Sequence, residues 1–254
     1  MKKIYLLMML LATVFVACSD DDDEKDDNGN GNGGKHKLVS KLVDDYGNGE
    51  TCTTTFEYDS EGKMTKVVET YKGGEDDGDI VTTTFKKEGN KLTATYSNNY
   101  SDKGETIFEC ELNDKGFVKK GICEGSCDYK NITYNEKGQL IEIDDDFTFE
   151  WLNDNIKSFD SSYEGSPQYT YTDYENKSNY DFNWQLIPVW EYDFMETSYF
   201  GVKSKNLIAS VKEGNETYTY EYTFDKDGYV TTIKTYDERS IKKLESTTTV
   251  TYKE

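Results

Sequence analysis

A short pattern that returns along the chain constrains its fold more than any other feature. Residues 56–67, 132–143 and 222–233 align without gaps, and residues 110–118 form a looser fourth copy. In the three aligned copies an alternating segment ends in an aromatic residue, Asp or Asn follows, and Gly comes three residues later, before a second alternating segment. Asp or Asn starts a tight turn, and Gly supplies the positive φ that closes a bulged loop. The repeat therefore predicts a β-hairpin.

Alternation within the strands indicates which face is wet. In residues 217–224 every second residue is aromatic, and the residues between them are Thr or Glu. Similar segments from residue 38 to residue 252 predict an all-β fold, an antiparallel meander of about 14 to 16 strands. A sheet of that size closes or nearly closes, which gives a flattened or plugged barrel. Because the polar face carries Thr, Lys and Glu, we expect a soluble rather than a transmembrane barrel.

Residues 175–206 break the hairpin rhythm and form an insertion. We expect this insertion to plug the barrel or to cover a binding cavity, with short helical turns allowed within residues 184–201. Its aromatic residues Trp184, Trp190 and Tyr192 are the candidate ligand-stacking residues, because rings with one wet edge suit glycan and peptide sites. The competing interpretation is that these rings belong to the core or to the plug.

The N-terminal region predicts where the protein is located. Residues 1–17 have the basic start, the short apolar run and the small last residue of a secretory signal peptide. Cys18 is then the predicted lipid attachment site, and two or three acyl chains on it would anchor the protein permanently in a membrane. The alternative is a secreted protein cut near Ala17. Residues 18–36 form an acidic tether rich in Gly and Asn, and residues 37–254 form a single domain.

The acidic run at residues 20–27 resembles the surface-export signals of Bacteroidetes lipoproteins. This resemblance implies an outer-membrane location, with exposure at the cell surface favoured over the periplasmic face. The lipoprotein start, the hairpin repeats and residues 203–207 together resemble a Bacteroidetes-type lipoprotein family of unknown function with a porin-like all-β fold. The hairpins also resemble Tyr-Asp repeats. The resemblance implies a fold and brings no functional residues with it.

The residue types argue against an enzyme. His36 is the only histidine and lies in the tether, so Ser-His-Asp and Cys-His catalysis are nearly excluded. Asp144 and Asp146 share one strand face and could serve a carboxylate-dependent hydrolase, but with 50 acidic residues such pairs arise by chance. We predict no catalytic residue, no metal and no cofactor. The net charge of −21 argues against nucleic acid as a partner.

Four cysteines besides Cys18 allow three disulfide pairings in an exported chain. The pair Cys123 and Cys127 is the candidate disulfide because Gly125 between them permits a tight turn. Buried free thiols are the alternative.

Three functions are compatible with these features. The first is a membrane-anchored, surface-exposed lipoprotein that binds a glycan or a peptide. The alternative is a structural component of the envelope that contacts another envelope protein without a small-molecule ligand. A carboxylate-dependent hydrolase comes third.

Overall fold

The computed structural model describes residues 36–100, 104–123, 128, 129, 131–144, 146–161, 166–183, 199–238 and 242–253. The predicted ligand-stacking residues Trp184, Trp190 and Tyr192, the lipid site Cys18, and Cys127 lie outside these ranges. Within them the chain is all-β and contains no helix. Every strand belongs to one compact unit, Gly34–Glu254. The strands are β1 (Val39–Asp45), β2 (Thr51–Tyr58), β3 (Met64–Lys72), β4 (Ile80–Glu88), β5 (Lys91–Asn98), β6 (Thr106–Leu112), β7 (Val118–Cys123), β8 (Asp128–Tyr129), β9 (Ile132–Tyr134), β10 (Leu140–Ile143), β11 (Phe147–Leu152), β12 (Asn155–Ser161), β13 (Gln168–Glu175), β14 (Asn206–Glu213), β15 (Glu216–Phe224), β16 (Val230–Asp237) and β17 (Lys243–Tyr252).

The strands form one nearly closed antiparallel barrel. Strand β1 pairs with β2 on one side and with β17 on the other, and both ladders are antiparallel. In a closed barrel whose neighbouring strands are all antiparallel, strand direction alternates, so the number of strands must be even. Because there are seventeen segments, two neighbouring segments must run in the same direction. These are β8 and β9: β8 pairs with β7, β9 pairs with β10, and the two are successive parts of one strand. Counted this way the barrel has 16 strands, which confirms the predicted fold class.

The repeated turns have one geometry. In all four copies the Gly amide donates to the carbonyl of the Asp or Asn that starts the turn, over 2.8 to 3.1 Å. The side-chain Oδ1 of that residue accepts further backbone amides, for example those of Glu61 and Lys63 at Asp59. The four glycines have φ between 78° and 81°. The hairpin prediction is confirmed, and all four turns lie at the same end of the barrel, which we call the repeat end.

A ring of aromatic polar groups strengthens the repeat end. The Tyr134 hydroxyl donates to the carbonyl of Val118 on the preceding strand at 2.6 Å, and Trp151 Nε1 donates in the same way to Leu140 at 2.6 Å. The remaining tyrosines that make this contact are Tyr58, Tyr171, Tyr222 and Tyr252. Aromatic side chains thus cover the interior while their polar atoms satisfy backbone carbonyls, which accounts for five of the 21 tyrosines.

The described parts of the insertion pack into the repeat end. We call these parts, residues 176–183 and 199–205, the plug segments. Tyr180, Phe182, Tyr199 and Phe200 are buried in the same core as the barrel wall. Tyr180 lies 5.1 Å from Phe56 of β2, and Tyr199 lies 6.2 Å from Phe85 of β4, measured between ring centroids. Residues 199–201 form a turn and bend.

Candidate functional site in the far half of the interior

The two halves of the barrel interior differ in exposure. Near the repeat end the inward side chains of Leu42, Leu92 and Leu140 are 0% exposed. Toward the opposite end, which we call the far end, inward side chains become partly exposed. Paired residues on neighbouring antiparallel strands point to the same face, so the ladder register identifies this second set. The partly exposed inward residues include Asp44, Glu69, Tyr71, Tyr96, Asn98, Phe108, Tyr218, Tyr220 and Thr235.

One row of this surface crosses β1, β2 and β3. Asp44 pairs with Cys52, and Cys52 pairs with Tyr71. Glu69 lies two residues farther along β3 toward the plug, on the same face. Asp44 Oδ1 accepts a hydrogen bond from the hydroxyl of Thr248 on β17. The row therefore combines carboxylates, a thiol and a tyrosine ring on one inward patch.

Burial and like charge set the ionisation of this row. Burial raises the pKa of the Asp44 carboxyl, and the Thr248 hydrogen bond only partly offsets that effect. Burial, followed by the negative charges of Glu69 and Asp44, raises the pKa of the Cys52 thiol to about 11. Burial and the charge of Asp44 raise the pKa of Tyr46, in the turn after β1, to about 12. The Cys52 thiol and the Tyr46 phenol are thus neutral at pH 7, and the negative charge of the nearby carboxylates contributes to both pKa shifts.

A second row crosses β13 to β16. Tyr169 pairs with Val211, Val211 with Tyr218, and Tyr218 with Asp237. Tyr169 is 7% exposed, and among the residues that the structure describes its hydroxyl has no hydrogen-bond partner. Burial, followed by the charges of Tyr171 and Glu213, raises the pKa of this hydroxyl. A buried phenol that donates to nothing is unusual, because leaving such a group unpaired costs about 1 to 3 kcal/mol.

Exposed apolar side chains surround the far end. Tyr46 is 46% exposed and Tyr100 is 56% exposed, and the Tyr100 hydroxyl lies 3.1 Å from that of Tyr96. Ile80, Ile107 and Leu244 are also exposed near the ends of strands at this side. Exposed aromatic and aliphatic groups around a polar interior are typical of a binding surface.

A buried polar cluster at the repeat end satisfies most of its own groups. Asp181 Oδ1 accepts from Asn176 Nδ2 at 2.6 Å and from the Asn183 amide at 3.1 Å. Lys203 Nζ donates to the carbonyls of Asn176 and Ser178. Burial raises the pKa of Asp181 to about 6 and lowers that of Lys203. Since these groups bind plug backbone, the cluster fastens the plug segments rather than presenting a site.

The structure places the sequence-predicted residues as follows. Cys52 and Cys110 are free and buried. The side chain of Cys123 and the whole of Cys127 lie outside the part of the chain that the structure describes, so the predicted disulfide between them stays a prediction. Asp144 Oδ1 accepts from the Asn131 amide at 2.8 Å within a turn. The described residues contain no group of three or more His, Cys, Asp or Glu that could hold a metal. Within the same ranges no helix is long and apolar enough to cross a membrane.

The inward carboxylates were not among the residues predicted from the sequence, although the alternation pattern contains a signal for them. Strict alternation from Phe56 back through Thr54 to Cys52 places Cys52 inward, and hairpin pairing then places Asp44 and Tyr71 beside it. The orphan hydroxyl of Tyr169 has no such signal, because it depends on packing from several strands.

Comparison with known proteins supports the fold. No family model matches the chain, and no curated protein matches it. A porin-like protein from Bacteroides uniformis ATCC 8492 has a similar crystal structure, with a TM-score of 0.61 and 18% identity over 86% of this chain and 99% of that one. A porin-like protein from Bacteroides vulgatus ATCC 8482 has a TM-score of 0.36 and 13% identity over 85% of this chain and 99% of that one, too low to compare the folds. The chain thus has a porin-like β-barrel fold, while its membership of a lipoprotein family stays a prediction.

Proposed function

We propose that this chain is a lipid-anchored envelope protein, exposed at the cell surface, that binds a glycan or a peptide in the far half of its barrel. The observation that supports ligand binding is the partly exposed inward surface of tyrosines, carboxylates and hydroxyls. Such a surface offers rings for stacking and polar atoms for orientation. A barrel that served only as a spacer would gain stability from apolar side chains at these positions.

The course of the chain at the repeat end supports an orientation. Lys37 Nζ lies 2.7 Å from Asp225 Oδ2 and 2.9 Å from Asp227 Oδ2, and 4.9 Å from the centre of the Tyr229 ring. Its hydrogen bond lowers the pKa of Asp225 to about 2. The folded domain thus begins at the repeat end. We propose that a lipid on Cys18 attaches the protein to the membrane through this end of the chain.

The outer face of the barrel supports tethering over embedding. The residues of β2 that alternate with its buried side chains are Thr53, Thr55 and Glu57. A membrane barrel needs an apolar outer band, and charged groups at mid-depth cost about 2 to 4 kcal/mol each. We therefore propose that the lipid, and not the barrel wall, holds this protein at the membrane.

Three experiments test this proposal. Labelling cells with radioactive palmitate should mark the wild-type chain and not the Cys18→Ala variant, and protease added to intact cells should remove the wild-type chain. A glycan and peptide array probed with the Gly34–Glu254 domain should give hits that Tyr71→Ala weakens about tenfold, the loss of one well-packed ring. The matched control is Tyr174→Ala, an exposed tyrosine of β13 near the repeat end, which should bind normally. Equal hits with Tyr71→Ala would refute the site.

The exposed apolar residues at the far end support a second candidate, a protein interaction of the envelope. Ile107 is 36% exposed and Leu244 is 47% exposed near this end. If this face docks a protein, a photo-crosslinking residue at Ile107 should give a discrete adduct in cells, while one at Leu152 near the repeat end should not. Adducts at neither position would count against this candidate.

A further inference from the structure

The inward surface of the far half is acidic. Asp44, Glu69 and Asp237 face the interior by ladder register, and Glu213 follows the inward Val211 by two residues. The register places Lys243 opposite Asp237, but the Lys243 ammonium lies 2.9 Å from Glu245 and its side chain is 74% exposed. Among the described inward residues of this half, negative charge therefore dominates.

Asp44 is the carboxylate best prepared for a cation. It is partly buried, and the hydrogen bond that the structure gives it comes from a neutral hydroxyl, that of Thr248. A carboxylate taken out of water without an opposite charge gains more from a cation than one on an open surface. Tyr71 lies in the same row, two strands away, and Tyr46 closes the turn after β1. Aromatic faces within about 6 Å of a cation add to its stabilisation.

The Tyr169 hydroxyl is an independent sign of a ligand. It has no hydrogen-bond partner in the described part of the chain, its residue is 7% exposed, and by ladder register it faces inward in the row that ends at Asp237. A hydroxyl in this position can donate to an acceptor that enters the barrel. A peptide backbone brings a carbonyl acceptor at every residue.

We infer that the ligand is a basic peptide, whose extended chain enters at the far end and places Lys or Arg side chains against Asp44, Glu69 and Asp237. This inference rests on the proposed function and names its ligand class. Alternate strands are roughly 10 Å apart, and a polyproline II chain, with three residues per turn and a rise of about 3.1 Å, brings every third side chain to one face at about this spacing. The acidic residues on β16, β1 and β3 are therefore spaced like side chains three residues apart on such an extended peptide. Because Asp44 and Asp237 are recessed, a long arm reaches them, and its apolar stem packs along tyrosine rings.

The test uses the Gly34–Glu254 domain, which contains every described strand and omits the acidic run at residues 20–27, since that run would itself attract basic peptides. The probes are penta-lysine, its Nε-acetylated neutral form, and the glucosamine pentamer, which carries amines directly on its rings. Calorimetry should show that penta-lysine binds at least about tenfold more tightly than the acetylated form, as expected when charged hydrogen bonds are lost.

The variants locate the binding. Asp44→Asn with Glu69→Gln should weaken penta-lysine binding about tenfold or more. The matched control, Glu57→Gln with Glu61→Gln, removes two carboxylates from exposed positions and should bind as wild type. Tyr169→Phe removes only the unpaired hydroxyl, so it should keep or raise the unfolding temperature while weakening binding several-fold. Thermal unfolding of each variant confirms that it is folded.

Five outcomes overturn the inference. If the acetylated peptide binds as tightly as penta-lysine, the positive charges play no role. If the Glu57/Glu61 control loses as much affinity as the Asp44/Glu69 variant, penta-lysine is attracted to the acidic surface in general. If Tyr169→Phe binds penta-lysine as tightly as wild type, the Tyr169 hydroxyl does not contact the ligand. If the glucosamine pentamer binds more tightly than penta-lysine and depends on Asp44, the ligand is a glycan, and the proposed function stands without this inference. If neither these probes nor the array gives a hit, the proposed function fails as well.

Discussion

Asp181 should make the stability of this protein fall as the pH rises from about 4 to 6. It is 6% exposed, and burial raises its pKa from 3.8 to about 6. The folded state therefore holds a proton that the unfolded chain has already released. Stability is highest below the unfolded pKa and is lost as the pH rises through the folded pKa. A shift of roughly 2 units, at about 1.4 kcal/mol per unit, amounts to about 3 kcal/mol.

The Asp181→Asn variant isolates this effect. Asparagine keeps an Oδ1 that accepts from Asn176 Nδ2 and from the Asn183 amide, and it does not titrate. Urea unfolding, followed by tryptophan fluorescence at several pH values from 4 to 7, gives the free energy of unfolding of both proteins. The advantage of wild type over the variant should shrink by about 3 kcal/mol across this range. Other carboxylates cancel in the difference, because both proteins carry them.

The control is Asp114→Asn, at an exposed position in the turn between β6 and β7. Its stability should run parallel to that of wild type at every pH. A flat difference between wild type and Asp181→Asn would show that Asp181 ionises normally in the fold. If the stability advantage of wild type over Asp181→Asn grows with pH, Lys203 stabilises the Asp181 carboxylate more than burial disfavours it. The pKa of Asp181 would then be lowered in the folded state.

Three further predictions follow from single contacts. Tyr134→Phe leaves the Val118 carbonyl without its 2.6 Å partner and should cost about 1 to 3 kcal/mol by urea unfolding, whereas Tyr100→Phe, at a 56% exposed residue, should cost far less. Gly201→Ala should destabilise strongly, since φ is +97° and the new Cβ would lie 2.6 Å from the Gly138 carbonyl oxygen, while Gly214→Ala at φ +55° meets nothing within 4 Å and should cost about 1 to 2 kcal/mol. Burial raises the pKa of Cys110 to about 12, so iodoacetamide at pH 8 should alkylate this thiol only after urea is added; labelling of the folded protein at the unfolded rate would refute its burial.

Local chemistry explains why the hairpins could be predicted. The turn at residues 59–62 needs an Asx side chain and a Gly, and both are visible in the sequence. The inward aromatic face of β15 follows from alternation alone, and Tyr220, Tyr222 and Phe224 do pack against the core. Closure followed from the number of strands, and the pairing of β1 with β17 confirms it.

The candidate site could not be predicted in the same way. Large aromatic residues are conspicuous in a sequence, and this made Trp184 and Trp190 predicted ligand-stacking residues. They lie outside the described residues. The partly exposed inward surface depends on where the plug segments end inside the barrel, and this depends on contacts such as Tyr180 with Phe56, 124 residues earlier in the chain.

Residue pattern alone was enough to establish hairpins, an aromatic interior and a barrel that closes, because each depends on neighbours within a few residues or on the strand count. Tertiary structure decided that the plug segments pack into the repeat end, that Asp181 and Lys203 of these two segments come close enough to interact, and that Asp44 and Tyr169 face the interior of the other half. These arrangements join residues far apart in the chain. Their energies come from burial and unpaired polar groups, and neither exists until the barrel has closed.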